Sequence, residues 1–264
     1  MSLDTYADTN KKLQSKSMKV IGSGTFAVVF SSDQSNYAYK KVKHRGLLWD
    51  EQIRDMKICA LIKEDQRIGI PGSEACIKIL NVLIGATGYI IAMEKASQSL
   101  FNLIISDDWN GDVAPVFDVS KGIEYLHKKF IWHRDIKPGN VLVLIKTNGK
   151  IVMKLCDFGQ SRPHGSRFGI EDSTKDCQTT YMYALPALLK RDTRPEVGCK
   201  ADWYALAATI LHALFPTYFY LKKETEECGL DFALKTIPDL LKQAESKVNA
   251  HHMDLLWAWA STVE

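Results

Sequence analysis

Residues 133–140 read His-Arg-Asp-Ile-Lys-Pro-Gly-Asn and place five strongly polar side chains in eight positions, directly before the apolar run Val141-Leu-Val-Leu-Ile145. Long charged side chains are rarely fully buried, so this stretch is expected as a loop held against the start of a strand. Asn148-Gly149 then joins NVLVLIK to KIVMKLC, the strongest short-range signal for a β-hairpin. Asp157-Phe-Gly159 follows at the hairpin's end, 17 residues past Asn140. A chain carrying this pattern has to set a polar loop and a second acidic turn beside one hairpin.

The surrounding pattern divides the chain in two. Residues 18–43 read as strands: MKVIGSG, FAVVFSS and YAYKKV, with a polar turn at Asp33-Gln-Ser-Asn36. A helix is expected from about Leu48 to Ile62, with Trp49, Ile53, Met56 and Ala60 at helical spacing. Two further strands, CIKILNVLIG and YIIAME, complete a small, mostly β unit. Beyond Ser97 helices dominate, over SLFNLII, 115–129, 200–215 and 231–248. The expected fold class is α+β and bilobal, with an N-terminal extension over 1–17, an N-terminal lobe over 18–96 and a larger, mostly α lobe over 97–264.

Composition removes several function classes. With 46% apolar and 25% charged residues the chain is ordinary for a soluble globular protein, and a formal charge of +3 requires no nucleic acid partner. The densest basic run, Lys40-Lys-Val-Lys-His-Arg45, is read as a strand end with solvated charges. The apolar stretch 204–215 is interrupted by Thr209 and His212 and is shorter than the roughly 20 residues a membrane span needs. Six cysteines without a CxxC pair, together with a polar start lacking a signal-peptide core, point to reduced thiols and a cytoplasmic or nuclear location.

The chemistry lies in how the polar residues are spaced. Asp135 can accept a hydroxyl proton, Asn140 can ligate a hard cation through its amide oxygen, and Lys137 stands between them as a charge clamp. Asp157 offers a second oxygen ligand for magnesium. Ile21-Gly-Ser-Gly24 allows backbone N–H groups to approach a phosphate, and β-prone FAVVF follows it where a Rossmann loop would open a helix. That loop therefore looks like a hairpin tip folded over a nucleotide, with Lys40 on the next strand able to reach phosphate oxygens.

Taken in order, GSGTFAVV, YAYK, HRDIKPGN, DFG and ADWYAL resemble the motifs of the eukaryotic protein kinase superfamily, Ser/Thr type, over about residues 18–215. The resemblance implies ATP and Mg2+ as cofactors and a protein bearing Ser or Thr as the substrate partner. It implies that Lys40 contacts the α and β phosphates, Asp135 orients the substrate hydroxyl and takes its proton, and Asn140 and Asp157 hold magnesium. Ile21, Gly22, Ser23, Gly24, Val29 and Ala38 would line the nucleotide site, Met93 would gate the adenine pocket, and Glu94 to Ala96 would form the hinge. His133 and Phe158 are expected to support the loop from the core, and Asp202 to hydrogen-bond its backbone. His127 is expected to face solvent and Cys156 to be a small strand residue. Arg134 is placed to bind a phosphorylated activation-segment residue, for which Ser161, Ser166, Ser173, Thr174, Thr179 and Thr180 are candidates.

Three positions depart from the family pattern. Ala27 replaces the third glycine of the loop, which is tolerated where φ is negative. The acid that should pair with Lys40 is either Glu51, the favoured candidate, or Asp55, one helical turn later on the same face. TTYMYALPALL places Ala187 where the family writes the glutamate of Ala-Pro-Glu, and no arginine follows Arg194 to pair with such a glutamate. Losing both members of a buried pair can be nearly neutral. These departures leave two alternatives: a pseudokinase-like scaffold or decoy that engages a partner kinase, and a small-molecule kinase, which Arg134 and Lys137 disfavour.

Overall fold

A five-stranded antiparallel sheet forms the smaller lobe, in the order β1-β2-β3-β5-β4, from β1 (Lys19–Ser23), β2 (Ala27–Ser31), β3 (Tyr37–Lys43), β4 (Ile79–Gly85) and β5 (Gly88–Glu94). The structure is a computed structural model that describes residues 5–23, 27–43, 50–86, 88–106, 108–163, 181–190, 195–219 and 226–261. Gly24, His44, Arg45, Leu48, Trp49, Ser166, Ser173, Thr174, Thr179 and Thr180 lie outside the described residues.

One face of the sheet packs on a 19-residue helix (Asp50–Ile68), in which Ile58, Cys59 and Ile62 form a buried stripe. That helix runs six residues past the Ile62 end expected from periodicity. Its last turns are held by polar contacts: Gln66 Nε2 donates to the carbonyls of Ser73, Cys76 and Ile77, and Ile79 N donates to Gln66 Oε1. Such side-chain capping carries no hydrophobic period.

The opposite face of the sheet is covered by a short helix, Tyr6–Lys12, within the segment expected to be a polar extension. Thr5 and Asp8 form a reciprocal capping box that starts it. Leu13 at its end is buried with Tyr39, Ile90 and Ala92. Lys41 Nζ donates to Asn10 Oδ1 at 2.5 Å, so this lysine of the basic run is tied to the N-terminal helix instead of being solvated.

The larger part of the chain is helical. The 115–129 segment is two helices, Ala114–Phe117 and Ser120–Lys128, and the long helix Pro195–Leu214 carries a largely buried series from Ala205 to Ala213. The expected hairpin is present as β8 (Val141–Ile145) and β9 (Ile151–Leu155), with Gly149 at φ 78° in its turn, a backbone region that favours glycine. A short strand β6 (Gln98–Ser99) pairs with β8, and β7 (Ile131–Trp132) leads into the polar loop. The two parts are tied where Ile77 N donates to Leu155 O at 2.8 Å. Among the described residues no helix is long and apolar enough to cross a membrane.

Candidate active site

One carboxylate holds the backbone at the start of the polar loop 133–140. Asp202, 1% exposed on the long helix, accepts the backbone N–H of His133 at Oδ2 and of Arg134 at Oδ1, both at 2.8 Å. Arg134 takes φ 70°, a left-handed conformation that a non-glycine residue keeps only when its surroundings fix it. His133 is fully buried; its Nε2 donates to Cys156 O at 3.1 Å, which leaves Nδ1 to accept from Asp135 N at 3.3 Å. Its ring meets Phe158 edge-on at 5.5 Å between centroids, and Phe158 is 1% exposed. His133 thus joins the loop to the segment carrying Asp157.

Within the loop, Asp135 Oδ1 lies 2.9 Å from Lys137 Nζ, and Asn140 Nδ2 donates to both Asp135 O (2.7 Å) and Asp135 Oδ2 (2.8 Å). Burial raises the Asp135 carboxyl above its ordinary range, against the opposing pull of Lys137. Both of these bonds use the Asn140 amide nitrogen, not its oxygen.

Lys40 joins the strands to this loop. Its Nζ is 2.8 Å from Asp55 Oδ2 and 2.9 Å from Asp157 Oδ1. The acid on Lys40 is therefore Asp55, not the favoured Glu51. Asp55 is 3% exposed on the same stripe as Ile58, Cys59 and Ile62, whereas Glu51 lies four residues, about 6 Å, nearer the helix start. Burial works against the Lys40 charge, but Asp157 and Asp55 outweigh it and raise its pKa well above the ordinary value. Lys40 in turn holds the Asp157 carboxyl down to about 2. Asp157 takes φ 64° and its side chain is 49% exposed, so a charged carboxylate is presented to solvent beside Lys40.

The residues expected around the adenine lie on β1, β2, β3 and β5 and just after β5. Ala38 pairs with Met93 across β3 and β5, Val29 pairs with both Lys40 and Gly22, and Ala38 and Met93 are buried. Ile21 sits at the register shift of β1 and is half exposed, and Ser23 ends β1 in an exposed position. Ala27 lies in β2 outside the left-handed region, so its methyl imposes no backbone strain. The Glu94 side chain is engaged at Oε1 by Lys154 Nζ (2.5 Å) and by Lys78 N (2.8 Å). Ala96 follows β5, and among the described residues its N–H has no acceptor.

Two further expectations change. His127 does not face solvent: its Nε2 is 2.8 Å from Asp202 Oδ2. Ser161 is fully buried, with Oγ donating to His133 O at 3.3 Å, and is closed to a modifying enzyme in this conformation. Ala187 is buried in apolar surroundings, and the adjoining segment is anchored by Tyr183, whose hydroxyl is 2.6 Å from His212 Nδ1, with Phe219 stacked on His212 at 4.6 Å. Tyr183, His212 and Phe219 thus form an aromatic anchor for the segment next to Ala187.

Oxygen donors are the ligands magnesium prefers, and the two on hand, the Asn140 amide oxygen and the exposed Asp157 carboxylate, fit that ion.

The comparisons agree with this geometry. The family described as "Protein kinase domain" matches residues 15–257. Mitogen-activated protein kinase kinase kinase 15 of Mus musculus is 26% identical over 203 residues, covering 73% of this chain and 14% of that protein. Calcium-dependent protein kinase 4 of Plasmodium berghei is 29% identical over 186 residues (67% of this chain, 33% of that protein). Serine/threonine-protein kinase NLK2 of Xenopus laevis is 32% identical over 157 residues (54% and 32%). The chain thus aligns with a third or less of the length of each of these relatives. With the match spanning nearly the whole chain and Lys40 joined to the Asp157 turn beside the 133–140 loop, the chain belongs to the protein kinase domain family.

Proposed function

We propose that this chain transfers the γ-phosphoryl group of ATP to serine or threonine hydroxyls of proteins. The observation that carries this reading is the double pairing of Lys40 with Asp55 and Asp157. One cation spans the helix, the strand and the turn that must be aligned for phosphoryl transfer. Bound magnesium, held by Asn140 and Asp157, would neutralise charge developing on the phosphates. Lys40 orients the α and β phosphates. Asp135 holds the attacking hydroxyl and accepts its proton, for which a carboxyl raised by burial is the better base. Lys137, beside Asp135, screens the incoming phosphoryl charge, and its resemblance to the family pattern favours serine or threonine, since tyrosine kinases of the family usually carry Ala or Arg around this position.

The names of the similar proteins, serine/threonine kinases among them, support the same acceptor class. The altered helix acid that motivated the scaffold alternative stands paired with Lys40. Labelled ATP, magnesium and a generic protein acceptor, followed by phosphoamino-acid analysis, test the reading. Phosphoserine or phosphothreonine is expected; phosphotyrosine alone, or transfer only to a small molecule, would overturn it.

A further inference from the structure

Asp55 is one methylene shorter than glutamate, yet it reaches Lys40, and Asp55 Oδ2 has a second partner. The Tyr89 hydroxyl, on β5, donates to it at 3.1 Å, beside the Lys40 contact at 2.8 Å. Tyr89 is 1% exposed and faces Val42 across the β3–β5 ladder, while Lys40 faces Ile91, so both side chains issue from the same face of the sheet two positions apart. Cys59 Sγ approaches the other oxygen, Asp55 Oδ1, at 3.8 Å. A short carboxylate has little freedom once one oxygen is held from two directions. A lysine ammonium alone, on a flexible four-carbon stem, fixes it poorly.

We propose that Tyr89 is a positioning residue for the phosphate-binding lysine: its hydroxyl fixes the short Asp55 carboxylate, and Asp55 in turn fixes Lys40. Tyr89 touches no reacting atom in this account. The inference rests on the kinase reading above and assigns the sheet, not only the helix, a part in aligning Lys40. An alternative is that Tyr89 fills the core and the buried phenol merely satisfies its own hydrogen bond. The two differ in how substitutions at 89 and 55 combine.

The test is a double-mutant cycle of Tyr89→Phe, Asp55→Glu and the pair, read as kcat/KM for ATP, KM for the acceptor, Kd for Mg-ATP and melting temperature. Tyr89→Phe keeps the ring and is expected to lower kcat/KM for ATP by about tenfold, the effect of losing a hydrogen bond to a charged group, with KM for the acceptor unchanged. Asp55→Glu alone is expected to lower activity, because the extra methylene meets the Tyr89 hydroxyl. Combined with Tyr89→Phe, it is expected to restore activity to within about threefold of wild type, because the longer acid takes the vacated space. Tyr89→Phe within about twofold of wild type, or a double variant no better than Tyr89→Phe alone, would overturn the inference. If the wild type binds Mg-ATP without transferring phosphate, the kinase reading fails and the same ranking of Kd values decides the role of Tyr89. A wild type that binds no nucleotide overturns both.

Discussion

His127 Nε2 lies 2.8 Å from Asp202 Oδ2, the oxygen that also accepts the His133 backbone N–H. One side chain of the helix Ser120–Lys128 thus fixes the carboxylate on which the 133–140 loop hangs. Removing that carboxylate takes the acceptor from three donors, His127 Nε2 and the His133 and Arg134 N–H groups, at a cost of about 1–3 kcal/mol for each buried one. Asp202→Ala is expected to lower stability by about 3 kcal/mol or more and to lower kcat by at least about 100-fold, by denaturant titration and steady-state assay. His127→Ala is expected to lower kcat by about tenfold, with His127→Gln, which keeps a donor, recovering most of it. Equal activity for all three proteins at position 127 would show that this contact does not hold the loop.

Charge reversal separates the two acids of the helix. Asp55→Lys places a cation against Lys40 in a buried site and is expected to abolish transfer and destabilise the fold by about 3–5 kcal/mol. Glu51→Lys is expected to retain transfer. The reverse ranking would restore Glu51 as the partner.

The pH profile follows from Asp135. Burial raises its carboxyl and Lys137 opposes the rise, so activity is expected to fall on the acid side as Asp135 protonates. Lys137→Met removes the opposing charge and is expected to move the acid limb of kcat/KM to higher pH while lowering kcat. An acid limb that stays in place would detach it from Asp135.

The aromatic anchor has its own pH signature. Burial lowers the His212 pKa from 6.5 to about 4, so the neutral ring is the folded form. The unfolded chain takes up this proton first as pH falls, so stability contributed by His212 is complete above about pH 6.5 and is lost on the way down to about pH 4. The full loss amounts to about 3 kcal/mol. Unfolding free energies at several pH values should show this slope in the wild type and not in His212→Gln; identical slopes would contradict the assignment.

What was legible in the chain follows from distance along it. Asp135, Lys137 and Asn140 fall within one loop, and the Asn148-Gly149 hairpin brings Asp157 back to them, so local signals sufficed for that cluster. The partner of Lys40 was ambiguous because residues four apart share a helix face, and only burial of the Ile58, Cys59 and Ile62 stripe selects Asp55. Tyr89 and His127 gave no signal: each bonds a carboxylate, 34 and 75 residues away, and sequence alone reads a strand tyrosine as core and a helix histidine as surface. The N-terminal helix was hidden by its polar composition, since its hold on the sheet depends on Leu13 and a capping box more than on an apolar stripe.

We propose that Lys40, Asp135, Asn140 and Asp157 form a working phosphoryl-transfer site. The most direct test is a single-turnover assay of label moving from γ-labelled ATP to a serine- or threonine-containing protein, with wild type and Asp135→Asn compared at saturating Mg-ATP. Wild-type transfer onto serine or threonine is expected, with an Asp135→Asn protein that binds Mg-ATP normally while transferring at least about 100-fold more slowly. Equal transfer by both proteins, or none by a wild type shown to bind Mg-ATP, would contradict it.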